Sequence, residues 1–177
     1  HGYALSLKMG RPVFSIRAEQ ELSEVKAPAR IGKGWTHLAG VLNGDRTMTL
    51  YVDGKAVASK AAHSLVMKPP HQATQIGIDD GGNVGDYRSP YGLNGRIDEV
   101  RVYHRARAAS ELAAVAEETA EPPRDAAGLV LSLSFEQGDG KDASGHGNHG
   151  KVTQAKTVEG RHGTALEFSN RKRSGTP

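Results

Sequence analysis

Asp53 and Gly54 constrain this chain more than any other pair of neighbours. They separate two short runs of alternating character, and Asp-Gly supplies the positive φ angles of a two-residue type I′ hairpin turn. Before them, Thr47-Met48-Thr49-Leu50-Tyr51-Val52 places Met48, Leu50 and Val52 on one face and the Thr and Tyr residues on the other. That period of two is the mark of a strand. Residues 55–59 return as its partner. Upstream, residues 35–42 read as a strand, joined to the alternating run by Asn43-Gly44-Asp45. A β-meander follows.

The remaining pattern continues in strands. Residues 3–8 and 12–17 form a hairpin around Met9-Gly10-Arg11, and residues 21–27 add a weaker run. Pro69-Pro70 breaks the chain, and residues 74–78 resume it. A polar loop spans residues 79–92, a length that in compact domains goes with function or mobility. Residues 93–103 read as one strand. Residues 108–118 form the single helix, with Leu112, Val115 and Ala116 as its narrow apolar stripe. Ala108 stands at the N-cap, where loss of a capping side chain costs about 1 kcal/mol. Glu121-Pro122-Pro123-Arg124-Asp125 has linker composition. Residues 129–135 alternate again, a Gly-, Asp- and His-rich loop covers 137–150, and weak strands near Val152 and at residues 165–168 finish the chain.

Composition narrows the function classes. Aromatic residues are only 5%, so the core rests on aliphatic side chains. The net charge of +3 is spread among both signs except at Arg171-Lys172-Arg173, which reads as a solvated tail and not a nucleic-acid clamp. There is no cysteine, hence no disulfide framework or thiolate zinc site. No stretch is long and apolar enough to span a bilayer. The chain opens on His1 without Met, which is expected of a piece of a longer protein.

Three segments in order resemble one family. Gly34-Trp35-Thr36-His37-Leu38-Ala39-Gly40-Val41, Leu50-Tyr51-Val52-Asp53-Gly54-Lys55 and Gly95-Arg96-Ile97-Asp98-Glu99-Val100-Arg101-Val102-Tyr103 resemble the strands of laminin-G-like jelly-roll modules, of the concanavalin A-like lectin/glucanase type. The likeness covers about residues 3–118. Gly128 to Glu136, Asp142 to Gly150 and Gly163 to Phe168 resemble the opening strands and loop of such a module. The family's central F-T-(I/V)-x-x-W strand is absent from both pieces.

The resemblance implies an antiparallel β-sandwich (jelly roll) with one short helix. The organisation expected is a laminin-G-like segment at 1–118, a linker at 119–127, opening strands of a second module at 128–170 and a basic tail at 171–177. Residues 128–170 either begin a tandem module or fold back and complete the first sheet.

On this fold, hydrolytic chemistry needs two or three carboxylates at a period of two on one strand. Asp98 and Glu99 are adjacent, so on a continuous strand they face apart, and no E-x-D-x-E run occurs. No G-x-S-x-G, H-E-x-x-H or P-loop is present either. The expectation is therefore a binding protein and not an enzyme.

The expected ligand rim is Asp86, Tyr87, Arg88, Tyr91 and Asn94, where two tyrosines meet polar groups in the long loop. Packing of those tyrosines on the sheet is the competing account. Trp35 is expected to be buried in its strand. Calcium seeks six to eight oxygens. Two loops offer them: Asp142 with Asn148, where the resemblance implies a structural ion, and Asp79, Asp80 and Asn83. Turn formation by Asp and Asn explains both loops as well. His146 and His149 read as part of a polar loop.

The expectation is thus a non-catalytic module of a larger exported bacterial protein, extracellular or periplasmic, that binds carbohydrate. Alternatives are an adhesive spacer with protein partners, or an accessory domain to an enzyme encoded in neighbouring domains of the same polypeptide. No nucleic-acid partner is expected.

Overall fold

The structure, a computed structural model, describes residues 1–68, 72–82, 84–88, 90–117 and 127–169. The 171–177 tail, the Pro69-Pro70 break and the 119–127 linker apart from Ala127 lie outside the described residues. The fold is an all-β sandwich of jelly-roll type with one short helix, and the strand pairs are antiparallel. The chain divides into two compact units.

The first unit comprises His1–Ala73, Gly82–Arg88 and Arg105–Pro122. Strands β1 (Gly2–Lys8), β2 (Arg11–Ala18) and β3 (Glu21–Lys26) form one sheet, with β2 central. Strands β4 (Leu38–Leu42), β5 (Thr47–Val52) and β6 (Lys55–Ala61) form another, with β5 central. Phe14, Ile16 and Val25 from the one, with Ala27 just past β3, meet Met48 and Leu50 from the other in the main core. Burying side chains of this size stabilises by roughly 1.5–3 kcal/mol each.

The reverse face of β5 is covered too. Tyr51 and Val41 pack against Leu112 of helix α1 (Ala109–Glu117). Asp53 and Gly54 have φ of 48° and 73°, as the type I′ turn requires. A Cβ on Gly54 would stand 2.7 Å from the Cα of Ala113, so this turn seats the helix only as glycine. Trp35, Thr36 and His37 lie outside β4, which begins at Leu38.

The helix start also departs from expectation. The main-chain N–H of Ala108 donates to Glu111 Oε2 at 2.7 Å. Half of a capping box therefore survives without a capping side chain. Arg105 holds the same carboxylate through both guanidinium nitrogens, at 3.1 and 2.6 Å.

The second unit comprises Thr74–Gly81, Ser89–His104 and Pro123–Pro177. The expected strand at 74–78 shrinks to β7 (Ile78–Asp79), because Gly77 turns with φ of 83° against the ring of Phe168. β7 pairs with β8 (Tyr91–Gly92). The expected strand at 93–103 is two strands, β9 (Gly95–Ile97) and β10 (Val100–Tyr103). Glu99 has φ of 53° and interrupts the pleat. The interruption lets β10 pair with β11 (Leu129–Leu133), while β9 pairs with β13 (Thr164–Phe168). β13 also pairs with β12 (Ala155–Glu159), so the strand expected near Val152 begins three residues later. Strands of residues 128–169 thus bond to strands of residues 95–103. Leu133, Phe135 and Leu166 centre this unit's core, with Ile97, Leu131 and Val152 around them. Phe135 lies outside β11, with φ of 60°, yet its ring is buried.

Candidate functional site

Strand alternation turns Ser15, Arg17 and Glu24 away from the core that Phe14, Ile16 and Val25 fill. Residues 84–86 bind that polar face. Arg17 Nε donates to the carbonyl of Val84 at 2.9 Å. The N–H of Asp86 donates to Glu24 Oε1 at 3.0 Å, and Ser15 Oγ donates to the same oxygen at 2.8 Å. Lys8 Nζ reaches Asp86 Oδ2 at 2.7 Å. The hydrogen bond from Lys8, and then its charge, lower the Asp86 carboxyl below the usual carboxylate range. This pair is exposed, and exposed pairs add little stability.

The expected ligand rim draws on both units. Asp86, Tyr87 and Arg88 belong to the first unit, with Tyr87 half-buried and Arg88 exposed. Tyr91 and Asn94 belong to the second, Tyr91 in β8 opposite Asp79 and Asn94 exposed before β9.

The Gly-rich loop after β11 is built on Asp142, which is buried. Its Oδ1 accepts the N–H groups of Ser132 and Ser144, both at 2.9 Å. Its Oδ2 accepts Ser144 Oγ at 2.8 Å and the N–H of Asn148 at 2.9 Å. Burial raises the carboxyl, but these donors outweigh it and hold the pKa at about 2. Asn148 Nδ2 donates to the carbonyl of Val130 at 2.8 Å. His149 Nδ1 accepts the N–H of Asp142 at 3.0 Å, which the neutral imidazole allows. The Asp142 carboxylate thus accepts four hydrogen bonds.

The other expected metal loop is a turn. The N–H of Gly81 donates to Asp79 Oδ1 at 3.2 Å, and Asp80 and Gln75 bond each other through side chain and main chain. Asn83 lies outside the described residues. Among the described residues, no three His, Cys, Asp or Glu side chains are grouped as metal ligands.

Asp98 and Glu99 do not sit on the continuous strand that the sequence implied. Asp98 Oδ2 accepts the N–H groups of Arg161 and His162 at 2.9 and 3.1 Å. Glu99 pairs with Arg101, both nearly buried. Glu136 Oε1 accepts the N–H of Thr164 at 3.3 Å. Sequence reasoning missed that Asp98 and Glu136 both hold the β12–β13 turn. No local motif links residues so far apart. In the arrangement seen, these carboxylates anchor main chain.

Trp35 also departs from expectation. It is 37% exposed, because its segment precedes β4 and leaves the pleat that would have buried it. The next residue, Thr36, lines a cleft of about 170 Å³ in the first unit. Pro12, Ala27, Ile31, Val52 and Val57 supply apolar walls, and Arg30 and Asp53 polar ones. Asp53 Oδ1 accepts the N–H of His37 at 2.9 Å.

A laminin G family model, described as the Concanavalin A-like lectin/glucanases superfamily, matches residues 2–113. The chain belongs to this family. Laminin-G-like domains generally act as binding modules. The match takes in β1 to β10 and the start of α1, and leaves β11 to β13 beyond its end. No curated protein matches this laminin-G-like chain. Among solved structures, it is similar to the S-layer domain-containing protein of Clostridium thermocellum, residues 221–444, at 26% identity and a TM-score of 0.43. That alignment covers 61% of this chain and 52% of the other, so the chain spans about half of that solved domain. No helix among the described residues is long and apolar enough to cross a membrane.

Proposed function

We propose that this chain is a non-catalytic, carbohydrate-binding module of a larger exported bacterial protein, and that residues 128–169 serve in it to complete the sheet of residues 95–103. The observation that carries the ligand class is the exposed Trp35, next in sequence to Thr36, which lines a cleft with apolar walls and a few polar groups. Sugar rings present apolar C–H faces to indole and hydroxyls to planar polar groups, and small-molecule sites share this composition. The non-catalytic part is supported by the duties of the acidic groups. Asp98, Glu136 and Asp142 accept main-chain N–H groups, and Glu99 holds Arg101.

The rim of Asp86, Tyr87, Arg88, Tyr91 and Asn94 enters this reading as a second surface. Calcium enters it at the Asp79-Asp80 turn alone, since the Asp142 carboxylate already accepts four donors. An extracellular or periplasmic setting accords with the family.

A glycan array with the intact chain tests the reading. Binding that Trp35→Ala abolishes, and that Tyr87→Ala and Tyr91→Ala leave within about twofold, supports the cleft. Loss in the tyrosine variants alone moves the site to the rim. An array on which no saccharide binds favours a protein-contacting spacer.

A further inference from the structure

We infer that the cleft between the 27–32 loop and the Val52 to Val57 hairpin takes an acidic saccharide, with Arg30 and Lys55 receiving its carboxylates. This rests on the carbohydrate reading above, and adds the charge class of the ligand and the residues that select it.

The cleft is the open end of the first unit's core. Pro12 and Ala27 close one side, bonded to each other through the Ala27 N–H and the Pro12 carbonyl at 2.8 Å. Val52 and Val57 close the other. The Arg30 side chain lines it, with its carbons near Gly10. Lys55 is the cross-strand partner of Val52, so both project to the same face of the sheet. Lys33 stands in the loop between the lining residues Gly32 and Thr36, and Arg11 binds the carbonyl of the lining Pro28.

Charge is lopsided along the segments that line the cleft. Residues 11–12, 27–36 and 52–57 carry Arg11, Arg30, Lys33 and Lys55 against a single acid, Asp53, one of whose oxygens already accepts the His37 N–H. The side chains of Arg30, Lys33 and Lys55 are exposed and make no hydrogen bond or ion pair among the described residues. A guanidinium beside apolar walls is a good receptor for a carboxylate, because its planar fork donates two parallel bonds and it is weakly hydrated. The volume of about 170 Å³ is below the roughly 300–1,000 Å³ of sites for drug-sized ligands. It suits one ring or the end of a chain.

The experiment is titration calorimetry of the intact chain with oligogalacturonate, with a neutral galactose oligomer, with a sulfated one and with poly-glutamate. Oligogalacturonate is expected to bind about tenfold or more tightly than the neutral oligomer. Arg30→Ala and Lys55→Ala are each expected to remove most of that difference. Lys156→Ala, the same charge loss on exposed β12 in the other unit, is expected to leave it intact. Thermal unfolding of each variant confirms that it folds.

Equal binding of acidic and neutral oligomers overturns the inference while leaving carbohydrate binding in place. So does undiminished uronate binding in both cleft variants. Preference for the sulfated oligomer replaces carboxylate by sulfate and removes the stated class. Equal affinity for poly-glutamate shows that charge alone is read. Failure of every saccharide ends both this inference and the reading beneath it.

Discussion

Asp98 Oδ2 lies 2.9 Å from the main-chain nitrogen of Arg161, a residue 63 positions later in the chain. The same oxygen takes the N–H of His162. One carboxylate in the gap between β9 and β10 thereby fixes the turn that joins β12 to β13.

Replacing Asp98 by Ala leaves two main-chain donors without their acceptor. Hydrogen bonds to a charged group contribute about 1.5–3 kcal/mol. Urea unfolding is expected to show a loss in that range for Asp98→Ala, and a smaller one for Asp98→Asn, which keeps an oxygen at the site. Equal stability of Asp98→Ala and the parent chain contradicts the anchoring role.

Asp142 makes stability depend on acid. Its pKa in the fold is about 2, below the usual 3.8, so the folded state prefers the ionised form. The stability it contributes is present above pH 4 and is lost as pH falls from about 4 through about 2. Glu111, held at about 2 first by the hydrogen bond from Arg105, adds to the same fall from its usual 4.5. An Asp142→Asn variant is expected to be less stable at neutral pH and to show a shallower acid transition. Circular dichroism from pH 7 to pH 2 measures both.

Gly54 and Gly44 form a matched pair of tests. Gly54 has φ of 73° and faces the backbone of Ala113, whereas a Cβ on Gly44 meets nothing within 4 Å. Alanine at Gly54 is expected to destabilise by more than about 1 kcal/mol, and alanine at Gly44 to be near neutral. The two melting temperatures decide it.

Much of this was legible in the sequence. The Asp53-Gly54 turn, the faces of Met48 and Tyr51 and the helix at Leu112 follow from local pattern, because period and turn chemistry act over a few residues. The break at Asp98-Glu99 was not legible. Alternation alone cannot show that β9 and β10 bond to different partners 26 to 73 residues away. Trp35 was misplaced for a related reason: a strand motif does not reveal where the pairing with Val52 ends. Asp142 reads in the sequence as a calcium ligand with Asn148, and its four donors come from Ser132, Ser144 and Asn148, which only the folded loop gathers.

Calcium offers a further check. We propose that an ion acts through the Asp79-Asp80 turn, since the Asp142 carboxylate already accepts four hydrogen bonds. A rise in melting temperature with calcium is expected to vanish in Asp80→Asn and persist in Asn148→Ala. The opposite pattern places the ion at the Asp142 loop.

The central proposal is that this chain grips saccharide without cutting it. Prolonged incubation of a bound oligosaccharide with the intact chain, followed by quantification of new reducing ends, addresses that directly. The account predicts none above a protein-free control. Steady release that disappears in Asp98→Asn or Glu136→Gln contradicts it, and makes those carboxylates catalysts instead of anchors.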